Sequence, residues 1–188
     1  MDIFISDSPH TLIKNLKFGR VFFKKFPELV MMNTIYQDKR RNHSLFDHSL
    51  SVLKHAHKYS QYKSTLLAAF FHDFGKLFTY EDNFKKHDLI GVRNIGAFLE
   101  KYGVDKDITK EVKVIMTSHF RASQYQREPN WTEEAVFRFI KATHPLTLET
   151  IIVAKADKQS SHDYEPYLAQ YEELRNRCLS MFERKINL

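Results

Sequence analysis

Apolar positions recur at helical spacing along almost the whole chain. Residues 11–32 carry Leu12, Leu16, Val21, Phe22, Phe26, Leu29 and Val30 in this way, with Pro27 marking a break or a fresh helix start. A polar, basic connector from Gln37 to Ser44 leads into a helix predicted from Leu45 to Tyr59. That helix sets Leu45, Ser49, Val52, Leu53 and Ala56 on one face, with His48 beside them. The run 63–75, KSTLLAAFFHDFG, is nearly all apolar until His72 and Asp73. A helix apolar on every side belongs in a core, and Gly75 is expected to end or bend this one.

A charged loop at 77–86 precedes an amphipathic helix over 87–101, carried by Ile90, Ile95, Phe98 and Leu99 and closed by Gly103. Residues 107–118 form another, with Val112, Ile115 and Met116 inward, and 121–130 read as a polar loop. Thr132 is a candidate N-cap, with Glu133 and Glu134 well placed at the positive end of the helix dipole. Helices over 145–160 and 164–185 complete the pattern. The last shows Tyr164, Tyr167, Leu168, Tyr171, Leu174, Cys178, Met181 and Phe182, a stripe that reads as core packing, as does Trp131 at a helix start. No repeat, low-complexity tract or long linker divides the chain, so residues 1–188 are expected to form one domain.

Composition narrows the picture further. Five glycines and five prolines in 188 residues cannot supply the frequent turns of a sandwich or barrel. The fold class is therefore expected to be all-α. A single cysteine, Cys178, excludes an internal disulfide framework and a thiolate metal cluster. The opening MDIFISDSPH has acids and no basic segment, and no apolar run approaches the ~20 residues of a membrane span. A cytoplasmic protein with no membrane contact is the expectation. Net charge is +6, and residues 1–43 hold eight Lys/Arg against four acids. Such a basic face suits anionic partners such as nucleotides or RNA, and equally suits plain solvation.

The chemistry centres on His72-Asp73. Burying an ionised carboxylate costs several kcal/mol unless it is paired or holds a metal, and residues 65–72 offer no opposite charge. Adjacent helical residues diverge by about 100°, so an ion shared by the doublet needs ligands from another helix. His48 lies on the preceding helix, and Asp157 sits in the otherwise apolar run IIVAKAD. Two imidazoles and two carboxylates make a nitrogen/oxygen donor set suited to Mn, Fe, Co, Ni or Zn. A hydrogen-bonded core pair at 72 and 73 is the plain alternative.

A histidine, a His-Asp doublet and a distant aspartate, here His48, His72-Asp73 and Asp157, form the pattern of the HD-domain metal-dependent phosphohydrolases, which this sequence resembles. The nearer resemblance is to the HD domain attached to bacterial tRNA nucleotidyltransferases, the CCA-adding enzymes, and to their poly(A) polymerase relatives. It is carried by FPEL (26–29), NHSLFDHSLSVL (42–53), LLAAFFHDFGKLFTY (66–80), KHDLIGVRNIGAFL (86–99), SHFRASQY (118–125), WTEEAVFRFI (131–140) and AKADKQS (154–160). It spans roughly residues 26–160, leaving 161–188 as a C-terminal helix. No stretch matches the Gly-Ser loop and paired aspartates of a nucleotidyltransferase head, so nucleotide addition is not expected.

The resemblance implies a bundle of seven or eight helices around a buried divalent metal ion (Mn, Ni, Co, Fe, Zn or Mg) held by His48, His72, Asp73 and Asp157. It implies hydrolysis of a phosphomonoester, a 2′,3′-cyclic phosphate or a related phosphate on a nucleotide or RNA end, with possible RNA contact through the basic face. Charge on the non-bridging oxygens then needs fixed cations. Lys76 is the first candidate and Arg121 the second, with Lys85 and Lys86 extending a basic rim. His87, expected to open a helix, and His119, expected to close one, are open between phosphate binding or proton donation, ligation of a second metal, and plain surface. His43 is open between pocket and loop, whereas His10, His55, His57, His144 and His162 read as surface residues. A dinuclear iron oxygenase and a non-catalytic RNA-binding module are the rival readings.

Overall fold

The computed structural model describes residues 21–38, 43–79, 86–161 and 165–186, together with Thr11 and Ile13. Expectations for Leu12, Leu16, His10, Lys85, His162, Tyr164 and most of the basic cluster in 1–43 lie outside the described residues. The fold is all-α. Its helices are α1 (Val21–Lys25), α2 (Leu45–Ala56), α3 (Lys63–Phe71), α4 (His87–Lys101), α5 (Lys106–Arg127), α6 (Glu133–Thr143), α7 (Thr147–Gln159) and α8 (Leu168–Ile186). Short 3-10 turns cover Pro27–Asn33, Phe74–Phe78 and Glu165–Tyr167. The connector after Ile35 contributes a small antiparallel ribbon. In it β1 (Tyr36–Asp38) pairs with β2 (His43–Ser44), and one irregularity falls between Tyr36 and Asp38.

Local chemistry sets the helix starts. Ser44 Oγ accepts the Asp47 N–H at 3.1 Å and begins α2, Asp105 Oδ1 accepts the Asp107 N–H at 2.7 Å ahead of α5, and Thr132 Oγ1 accepts the Ala135 N–H at 3.2 Å ahead of α6. Helix α3 is the central one. Ser64 through Phe71 are all buried, and the helix packs against α2, α5 and α7.

Two packed layers result. The larger gathers Phe22, Phe26, Phe46, Phe70 and Phe71 with Val112, Ile115 and Met116 from the first half of α5 and Val153 and Ala156 from α7. The smaller joins Ala122 and Tyr125 from the second half of α5 to Val136, Phe139, Ile151, Tyr171, Leu174 and Cys178. From the stripe on the last helix, Tyr171, Leu174 and Cys178 are core and Met181 and Phe182 pack against them, while Trp131 packs edge-on to Tyr125 at 5.4 Å and Phe139 at 5.9 Å.

Three departures from the sequence reading bear on the site. First, α5 runs to Arg127, so most of the expected polar loop at 121–130 is helix and His119 lies well inside it rather than at its end. The reason is the second layer, since Ala122 and Tyr125 continue the buried face one and two turns past Ser118. Second, α3 stops at Phe71 rather than at Gly75, and Phe74–Phe78 follow as a 3-10 turn. Third, Gly75 serves close approach and not helix termination. A Cβ on it would lie 1.7 Å from the His87 carbonyl oxygen and 2.6 Å from the Gly91 nitrogen. Gly91 in turn meets the Gly75 backbone, so two glycines let the turn nest against α4.

Candidate metal centre

The early stop of α3 shapes the site. The His72 Nδ1–H donates to the Ala69 carbonyl at 3.0 Å, taking one of the acceptors left open at a helix end. Asp73 then adopts φ −100° and ψ 13°, outside the helix. The doublet therefore escapes the angular divergence of adjacent helical residues, and His72 Nε2 and Asp73 Oδ2 lie 3.3 Å apart. Both side chains are buried.

Helices α2 and α7 bring the other two groups to the same point. His48 Nε2 is 3.2 Å from His72 Nε2, 3.1 Å from Asp157 Oδ1 and 3.7 Å from Asp73 Oδ2. His72 Nε2 is 3.5 Å from Asp157 Oδ1. Asp157 stands at the open side, its side chain 32 % exposed. His48, His72, Asp73 and Asp157 are thus brought together, from two helices and the turn that ends a third.

Whether these groups suit a cation can be tested on their own geometry. His72 has spent its Nδ1 proton on Ala69, so when neutral it presents a lone pair at Nε2. His48 Nδ1 faces the Ser160 hydroxyl at 3.0 Å, and that hydroxyl has its single proton on the Asp157 carbonyl at 2.6 Å. His48 must then donate from Nδ1 and also presents a lone pair at Nε2. Two such lone pairs face each other at 3.2 Å with carboxylate oxygens around them. The arrangement calls for positive charge in the middle. Bonds of about 2.1 Å imply ligand–ligand edges of about 3.0 Å in an octahedron and about 3.4 Å in a tetrahedron. Of the edges about His48, His72 and Asp157, those of 3.1 and 3.2 Å fall in that range and the third, 3.5 Å, lies about 0.1 Å beyond it, and these residues fit a divalent ion as ligands.

With no metal bound, protons take that role. Burial opposes the charged form of His72, but Asp73 and Asp157 outweigh it and raise its pKa to about 10. Burial likewise opposes ionisation of Asp73 and Asp157. The imidazoles, with Lys76 beside Asp73, overcome this and hold both carboxyls well below the ordinary aspartate range.

The remaining predicted residues are distributed as follows. Lys76 Nζ sits 2.6 Å from Asp73 Oδ2, and His87 Nε2 is 2.9 Å from Asp73 Oδ1. His87 does open α4, directly after Lys86, whose backbone is left-handed at φ 70°. Lys86 itself is exposed. His119 is buried with its ring centroid 5.4 Å from that of His72. Its Nδ1–H donates to the Met116 carbonyl at 2.7 Å, and burial together with His72 holds its pKa below the ordinary value. Arg121 is exposed, about 200° around α5 from His119, so its side chain leaves the opposite side of the helix. His43 is half-buried, its ring 6.2 Å from that of His48. His55, read as a surface residue, is also half-buried, and burial lowers its pKa. Ser160 was not singled out in the sequence. Its signal there is only a hydroxyl one turn past Asp157, and its contact with His48 depends on how α2 and α7 pack.

The family model for the HD domain matches residues 45–161, well over half of the chain, and the chain belongs to the HD-domain family. HD domains are generally metal-dependent phosphohydrolases, and His48, His72 and Asp157 stand here as candidate ligands of a divalent metal. No match to a curated protein is found. Among the described residues, no helix is long and apolar enough to cross a membrane.

Proposed function

We propose that this protein is a metal-dependent phosphohydrolase that cleaves a phosphomonoester or 2′,3′-cyclic phosphate on a nucleotide or RNA end. The observation that carries the reading is the convergence of His48 and His72 Nε2 with Asp73 and Asp157 oxygens at edges of 3.1–3.7 Å. In this reading residues 1–188 form one cytoplasmic HD-type domain, nearest in kind to the HD domain of CCA-adding enzymes on the blocks quoted above.

A divalent ion held by these four residues, one of Mn, Ni, Co, Fe, Zn or Mg, would acidify a water and polarise a phosphoryl oxygen. The chain's own groups supply the rest. Lys76 balances the buried charge of Asp73 and holds a cation at the edge of the cluster. With Arg121 on the outer side of α5, stabilisation of phosphoryl charge falls to Lys76. His87, partly exposed beside Asp73, is the better placed of the two open histidines to hand a proton to the leaving oxygen. His119 is buried with its only neutral-state proton committed to Met116, which suits a ligand or acceptor role. One observation favours a second ion. Asp73 meets Lys76 at 2.6 Å and the histidine pair at 3.3–3.7 Å through Oδ2 and keeps Oδ1 for His87 at 2.9 Å, so His87, with His119, would be among the residues holding such an ion.

The test is metal analysis of the purified protein combined with a panel of phosphomonoesters, cyclic nucleotides and dinucleoside polyphosphates. His72→Ala and Asp73→Ala are expected to lose metal and turnover while keeping their helical circular dichroism. Turnover by metal-free Asp73→Ala would falsify the assignment. Two irons with an oxygen requirement would mark an oxygenase. Salt-sensitive RNA binding with no turnover would mark a binding module.

A further inference from the structure

We infer that Ser160 is a positioning residue of the metal centre, fixing which nitrogen of His48 faces the ion. The inference rests on the metal-centre reading above and deepens it. Ser160 closes α7 one turn after Asp157, and its side chain ties the two ligand-bearing helices together across 112 residues of sequence. A serine hydroxyl has one proton to give and lone pairs to receive. At 2.6 Å from the Asp157 carbonyl oxygen, Oγ donates that proton there, because two oxygens at this distance repel without a shared hydrogen. Nothing remains for it to offer His48 Nδ1 at 3.0 Å except a lone pair. The imidazole answers with Nδ1–H, and Nε2 is left free to bind. The same hydroxyl adds a second hydrogen bond to the Asp157 carbonyl, which also accepts the Ser160 N–H at 3.1 Å, so the end of α7 and the orientation of His48 are tied to one residue. Removing such an outer partner lowers metal affinity by about 10- to 100-fold in known sites.

The experiment uses the full chain and Zn²⁺ or Co²⁺ as the probe. In zinc-loaded protein, long-range ¹H–¹⁵N spectra are expected to show the His48 proton on Nδ1. A proton on Nε2 overturns the inference without recourse to any variant. Ser160→Ala is expected to bind Co²⁺ about 10- to 100-fold more weakly with altered visible absorption, and Ser160→Thr, which keeps the hydroxyl, to restore both. His72→Ala serves as the comparison. If it loses Co²⁺ and Ser160→Ala binds as the parent does, the role of Ser160 alone is refuted. If His72→Ala also binds as the parent does, the metal centre itself is refuted and the role of Ser160 falls with it.

Discussion

Gly75→Ala should damage this protein out of proportion to the methyl group it adds. The new Cβ would stand 1.7 Å from the His87 carbonyl oxygen and 2.6 Å from the Gly91 nitrogen, both backbone atoms that no rotamer change can move. Reaching 3.0 Å, below which real Cβ atoms essentially never approach, takes at least 1.3 Å of separation between the turn and α4 (3.0 − 1.7). His87 is the first residue of α4 and rides with it, so its 2.9 Å contact with Asp73 opens beyond hydrogen-bonding range. Overpacking of this kind costs about 1–3 kcal/mol, and a lost hydrogen bond to a charged group about 1.5–3 more. At ~2–4 °C per kcal/mol for a chain of this size, the melting temperature should fall by roughly 5–25 °C. A displacement of about 1 Å at the site should reduce turnover by about 100-fold. Gly96→Ala, on the same helix, is the control. Its Cβ meets only the end of the Lys113 side chain, at 2.6 and 2.9 Å, which can swing aside. The better helix propensity of alanine, about 1 kcal/mol, should then leave that variant neutral or more stable. Melting curves by circular dichroism and steady-state turnover check both. Gly75→Ala matching the parent in melting and rate would refute the close-approach argument.

Three further outcomes are expected. Mn²⁺ or Zn²⁺ at about 100 times its Kd should stabilise the protein by about 2.7 kcal/mol, seen as a melting shift that a chelator reverses and that His72→Ala lacks. Glu28 is held near pKa 2 rather than 4.5 by Lys101 and by the Tyr102 hydroxyl, which donates to it at 2.6 Å. A depressed carboxyl stabilises the fold above its ordinary pKa and loses that effect as pH falls toward about 2, so melting curves of Glu28→Gln and the parent should differ at neutral pH and converge in acid. The difference should be small, because the pair is solvent-exposed. Thr132→Ala removes the acceptor for the Ala135 N–H and should cost about 1 kcal/mol in urea unfolding, with Thr132→Ser close to the parent.

Much of this architecture was legible in the sequence. The all-round apolar character of Ser64–Phe71 gave the central helix, and the spacing around Ile95 and Phe98 gave α4 almost to the residue. The end of α3 was hidden, because periodicity continues through His72 and Asp73 while an imidazole-to-carbonyl bond within the last turn decides where the helix stops. The end of α5 was recoverable. Met116, His119, Ala122 and Tyr125 keep a three-residue beat, but the intervening polar residues masked it. At the centre, the absence of charge in the eight residues before Asp73 pointed to partners outside that run. The nearest is local, Lys76 three residues on at 2.6 Å, while His87 at 2.9 Å and His48 at 3.7 Å arrive from other helices. The Gly75–Gly91 contact and the role of Ser160 depend on how distant segments meet, and nothing local in the chain encodes them.

The division of α5 and α7 between two layers has a consequence for how this protein fails. Helix α5 gives its first half to the larger layer and its second half to the smaller, while α7 faces both from one stretch, with Val153 and Ala156 toward the larger and Ile151 and Ala154 toward the smaller. His119 and Asp157 therefore sit on helices that both layers hold. Damage to the outer support, for instance at Tyr171 or Leu174, should loosen chemistry to which neither residue contributes a single atom. Variants far from the cluster will then read as catalytic defects in an assay that measures rate alone.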